Sequence, residues 1–113
     1  MELPTVSDVI TSEASVTLQM TIDDALPYFK GHFPNAPILP GVALLNWAEH
    51  FAKQYFILNA VFKGVDNLKF QQVVKPCSLL NLSLSYNQEK QSVQFEYTSP
   101  EHKHASGRIL FTS

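Results

Sequence analysis

The chain has 113 residues, a length that suits one domain over 1–113 with a core of its own. Apolar residues make up 45% and charged residues 16%, and the net charge is −2, which excludes a disordered chain and a basic nucleic-acid-binding surface. A charged fraction below the usual ~25% covers a monomer thinly, so part of the apolar surface is expected to be buried in an oligomer.

Thr5 to Ile10 and Ser15 to Ile22 read as strands separated by Thr11-Ser12-Glu13. The second alternates Val16, Leu18, Met20 and Ile22 against Ser15, Thr17, Gln19 and Thr21. Asp23 to Pro27 reads as a short helical or 3₁₀ turn, and Gly31 to Leu39, with Pro34 and Pro37, as a loop. Pro40-Gly41 opens a long helix expected to reach about Leu58, because proline suits the first helical position. Strands are predicted over Asn67 to Val73, Leu79 to Tyr86, the Val93-Phe95-Tyr97 stretch and His104 to Thr112. Turns fall at Asn87 to Gln91 and Ser99 to Glu101. The expected fold class is α+β, a mostly antiparallel sheet around one dominant helix.

Gly41 to Phe62 is apolar enough to be mistaken for a membrane span, but Glu49, His50 and Lys53 interrupt it, and each charge at a bilayer centre costs about 2.5–3.5 kcal/mol. No membrane insertion is expected. The first residues, MELPTVSD, have neither a basic nor an apolar leader region, and Cys77 is alone. A reducing cytoplasm is therefore the expected location, with Cys77 structural and no disulfide or cysteine-based zinc site.

The chemistry concentrates in Gly31-His32-Phe33-Pro34-Asn35-Ala36-Pro37-Ile38-Leu39-Pro40-Gly41-Val42. Three prolines stiffen the loop and reduce what it loses on ordering. It carries one titratable group, His32, and runs into a helix start whose N–H groups are unpaired and partly positive. A base near neutral pKa beside such donors suits removal of a proton next to a thioester carbonyl. The amides of Gly41 or Val42 would hold the oxygen as charge develops, and the absent side chain at Gly41 would admit the substrate to the backbone.

These residues resemble the signature of bacterial 3-hydroxyacyl-[acyl-carrier-protein] dehydratases of the FabA/FabZ type. Tyr28-Phe29, Leu68-Lys69-Phe70 and Val73-x-Lys75-Pro76 extend the resemblance over nearly the whole chain. Leu39 to Ala48 is similar to the dehydratase-like proteins of aryl-polyene gene clusters. The resemblance implies a hot-dog fold, with the sheet wrapped around the helix. It implies a homodimer or a trimer of dimers with sites at the subunit interface, and no metal or redox cofactor. It also implies a substrate delivered on the phosphopantetheine of an acyl carrier protein. His32 would be the catalytic base, and Phe33, Pro40, Gly41 and Val42 would bind substrate.

One position departs from the pattern. The family acid lies fourteen residues after the histidine, on the partner subunit's central helix, and here that position is Asn46. An amide orients water but does not protonate a departing hydroxide. Glu49, about 4.5 Å further along the axis and roughly 60° round, is the expected substitute, with Asn46 and Glu49 addressing the 3-hydroxyl. Two alternatives use the same fold: an acyl-thioesterase, and an acyl-thioester binder whose chemistry is lost at Asn46.

Plainer readings stand beside these. Glu49 also suits a solvated pair with Lys53 at i+4. Trp47, Phe51 and Tyr55 recur at helical spacing as core or tunnel wall. His102 and His104 are expected on a solvated hairpin rather than on a metal. Lys63, Lys69 and Lys75 read by default as scattered surface lysines, beside the functional reading that they meet an acidic carrier protein.

Overall fold

The computed structural model describes residues 3–29, 38–57, 59–76 and 79–112. Six strands, β1 (Thr5–Thr11), β2 (Ser15–Thr21), β3 (Val61–Phe70), β4 (Leu79–Asn87), β5 (Ser92–Thr98) and β6 (Lys103–Thr112), form one antiparallel sheet in the order β1-β2-β4-β5-β6-β3. One helix, α1 (Gly41–Tyr55), packs against its inner face. This is the hot-dog arrangement that the resemblance implies.

The period-2 patterns decide which face is covered. Val16, Leu18 and Met20 of β2, Leu80, Leu82 and Leu84 of β4, and Val93, Phe95 and Tyr97 of β5 are all buried. From α1 the sheet receives Ala43, Leu44, Trp47, Ala48, Phe51 and Ala52. The small alanines let helix and sheet approach, and Trp47 fills the centre of the core with no exposed surface. Tyr55 is half-buried at the helix end, so the Trp47-Phe51-Tyr55 stripe is core-facing. Across β5 and β6, Gly107 leaves room for the Phe95 ring, which would stand 2.8 Å from an added Cβ.

Several boundaries differ from the sequence expectation. Pro40 is the N-cap, extended at φ −63° and ψ 144°, and Gly41 is the first helical residue. α1 ends at Tyr55 rather than Leu58, because Phe56 leaves the helix at φ −125° and stacks on Tyr86, ring centroids 5.3 Å apart. Leu58 itself lies outside the described residues. β3 begins at Val61, six residues before the expected Asn67, and ends at Phe70 rather than Val73. Two register shifts, at Phe62/Gly64 and Asp66/Lys69, with Asn67 at φ 53°, break the alternation that would have announced it. The early turn is a pair: Asp23 Oδ1 accepts from Ala25 N–H at 2.8 Å, and the 3₁₀ turn follows at Pro27–Phe29.

Within the sheet, Arg108 of β6 donates two hydrogen bonds, of 2.9 and 2.7 Å, to its β3 partner Asp66. The guanidinium holds the Asp66 carboxyl below its ordinary range, and Arg108 is raised in turn. Both groups are solvated, so the pair fixes register between β3 and β6 more than it adds stability.

Candidate active site

The start of α1 opens onto a cavity of about 510 Å³. Its walls are Ile38 to Val42 and Leu44 on one side and Phe70 to Val74 on the other. Pro40 makes no side-chain cap bond and the first turn carries no acidic residue, so the positive end of the helix faces the cavity without a local carboxylate to neutralise it. Ala43 N–H already donates to Pro40 O at 3.0 Å. That leaves Gly41 and Val42 as the first-turn amides for an incoming oxygen.

The two walls are tied together. Leu39 N–H donates to Val74 O at 2.8 Å, joining the residue before the helix to the segment after β3. On the inner side, the buried Tyr97 hydroxyl donates to Leu44 O at 2.6 Å and anchors the helix start to β5. Burial pushes the Tyr97 phenol well above its ordinary value, partly opposed by the Ala48 backbone N–H.

The close approach expected at Gly41 is occupied. A Cβ there would stand 2.8 Å from two carbons of the Phe70 ring. Phe70 is 54% exposed, so its ring covers the glycine from the solvent side. Reading the sequence residue by residue did not single out Phe70. The available signal was its place at the end of the Leu68-Lys69-Phe70 stretch.

Of the other expected site residues, Val42 is 61% exposed and Asn46 is exposed one turn beyond it. Glu49 is half-buried one turn further and is the one carboxylate of α1. Val42, Asn46 and Glu49 therefore follow one face of the helix that the protomer's own sheet leaves open. His32 and Phe33 lie outside the described residues, as does Cys77.

Lys69 lines a different hollow, about 490 Å³ on the outer face of the sheet among Ser83, Ser85, Gln94 and Glu96. Lys63 and Lys75 are exposed. His104 departs from the solvated-hairpin expectation: it is 5% exposed and hydrogen-bonded at both ring nitrogens. No three metal-ligating side chains gather among the described residues, and no helix there is long and apolar enough to cross a membrane.

The model of the ApeI-like family, described as ApeI dehydratase, matches residues 8–108. The 3-hydroxyacyl-[acyl-carrier-protein] dehydratase FabZ of Chlamydia pneumoniae is 35% identical over 82 residues, covering 65% of this chain and 54% of its own. The chain thus spans about half the length of the curated relatives it matches. A chain of the dehydratase heterocomplex ApeI:P from Xenorhabdus doucetiae superposes with a TM-score of 0.94 at 26% identity, over 99% of this chain and 100% of that one. An uncharacterized protein from Erwinia carotovora subsp. atroseptica gives 0.85 at 35% identity, over 98% and 97%. With 101 consecutive residues matched by its model, the chain belongs to the ApeI-like dehydratase family.

Proposed function

We propose that the protein dehydrates a 3-hydroxyacyl thioester, carried on acyl carrier protein, to the trans-2-enoyl thioester in fatty-acid or polyene-type lipid synthesis. The observation that carries this reading is the uncapped start of α1 at Gly41 opening onto an apolar-walled cavity of about 510 Å³. The cavity suits an acyl chain and the amides suit its carbonyl oxygen.

In this reading His32 takes the α-proton. The electron pair of the broken C–H bond forms the new double bond as the bond to the 3-hydroxyl breaks. The hydroxyl leaves as water on receiving a proton from the Glu49 carboxyl, with Asn46 orienting it. The Gly41 and Val42 amides stabilise the negative charge that develops on the thioester oxygen as the α-proton leaves. The elimination is redox-neutral and calls for no resident metal or redox cofactor. The phosphopantetheine arm is part of the substrate.

A second hot-dog chain completes the site. β3 is an edge strand with Val61, Phe62, Leu68 and Phe70 exposed, and the open face of α1 lacks cover. Both features favour a homodimer, alone or as a trimer of dimers. The exposed Lys63, Lys69 and Lys75 suit an acidic carrier protein, and the cytoplasm is the proposed location. Mass spectrometry of a 3-hydroxyacyl carrier protein after incubation tests the reading. It predicts loss of one water from the acyl group, abolished by His32→Ala.

A further inference from the structure

Past Phe70 the β3–β6 ladder ends, and residues 71–74 leave the sheet as the outer wall of the acyl cavity. His104 holds that wall. Its carbonyl accepts from Gln71 N–H at 2.9 Å and Gln72 N–H at 3.3 Å. Its Nδ1 faces the carbonyls of Gln72 and Val73 at 3.0 and 3.2 Å. Carbonyls only accept, so Nδ1 carries the proton. In the neutral ring Nε2 then accepts from the Ser99 hydroxyl at 2.8 Å. Ser99 is itself held in the β5–β6 turn by its N–H bond to His102 O.

An apolar residue would fill this 5%-exposed position without needing partners. The imidazole instead joins three segments: the turn at Ser99, β6, and the cavity wall. From the wall the connection continues through Val74 O to Leu39 N–H, next to the N-cap. The helix has its own anchor in the bond from Tyr97 to Leu44. Losing the imidazole therefore removes the bonds at Gln72 O, Val73 O and Ser99 and loosens the wall, which keeps its backbone bonds to His104 O and Leu39 N–H, without freeing the helix.

We infer that His104, through its bonds to Gln72, Val73 and Ser99, is a positioning residue that sets the outer wall of the acyl cavity against the start of α1. The inference rests on the dehydratase reading for what the cavity holds. The geometry of the latch is independent of that reading. Wall displacement weakens acyl binding while the oxygen-binding amides stay in place, so the effect belongs in KM rather than kcat.

The test compares His104→Phe, which keeps an aromatic ring and removes the donor, with His104→Asn, whose amide N–H replaces Nδ1–H. His104→Phe is expected to raise KM about tenfold with kcat within about twofold, and His104→Asn to recover KM to within about threefold of wild type. Amide exchange at Leu39, Gln71 and Gln72 should quicken about tenfold in His104→Phe and return in His104→Asn. A folded His104→Phe with wild-type KM and wild-type exchange overturns the inference, and so does failure of His104→Asn to restore either. Should His104→Phe not fold, Ser99→Ala must quicken exchange at Gln71 and Gln72 by about threefold, and unchanged exchange overturns the inference. Absence of turnover by the wild-type protein would defeat the dehydratase reading alone, because the exchange rates still decide the latch.

Discussion

The Phe70 ring occupies the space beside Gly41 where any other residue would carry its β-carbon, 2.8 Å from two ring carbons. An edge-strand aromatic and the first residue of the central helix thus form one mouth for the cavity. Gly41→Ala forces the ring outward. Phe70 is half-exposed and able to yield, so stability should change by no more than about 1 kcal/mol. In the proposed reading, the displaced ring and the added methyl group crowd the amide that would receive the thioester oxygen, and kcat/KM should fall at least about tenfold. Thermal melts beside steady-state kinetics check both halves.

Tyr97 gives a pH signature. Its folded-state value is raised above the ordinary 10.0 because burial disfavours the phenolate. Its contribution is therefore fully present below about pH 10 and is lost as pH rises through the folded value. Tyr97→Phe should cost about 1 kcal/mol at neutral pH, since Leu44 O keeps its helical partner. It should also remove Tyr97's share of the alkaline loss. Melting temperatures of both proteins between pH 7 and about 11 measure the difference.

The open face of α1 separates two accounts of proton delivery. If Glu49 supplies the proton, Glu49→Gln lowers kcat about a hundredfold or more, and Asn46→Asp restores part of that loss in the double variant. If Glu49 is only a surface partner of Lys53, Glu49→Gln leaves kcat unchanged. Wild type, Glu49→Gln and the double variant assayed on one 3-hydroxyacyl substrate distinguish the cases.

The exposed side chains of β3 predict an assembly. Val61→Lys together with Leu68→Lys places two charges on the edge strand and should convert the protein to monomer, with activity lost alongside. Sedimentation velocity reads the change. A wild-type protein that is monomeric and active at low concentration contradicts the interface.

Legibility in the sequence followed the physics of each segment. β2, β4 and β5 alternate cleanly, and their inward residues are the buried ones, because a strand with one covered face repeats every second residue. β3 hid its first half because two register shifts and the positive φ of Asn67 break that repeat. The apolar run Tyr55-Phe56-Ile57 suggested a longer helix, yet Phe56 leaves the helix to stack on Tyr86, a contact set by tertiary packing. Pro40-Gly41 marked the helix start to within one residue, and through it the candidate site. His104 was misread because its partners, Gln72 and Val73, lie more than thirty residues away, and only the fold brings them to it.

The low charge count takes on a location. Most buried apolar residues lie on the inner sheet and α1, while Val61, Phe62, Leu68, Phe70 and Val42 remain exposed along β3 and at the start of α1. The most direct measurement follows ultraviolet absorbance and free thiol together while the protein acts on a 3-hydroxyacyl pantetheine thioester. Dehydration predicts a rise in conjugated-enoyl absorbance with no thiol released. Release of thiol, or a rise in melting temperature with neither product, would contradict it and point instead to a thioesterase or to an acyl-thioester binder.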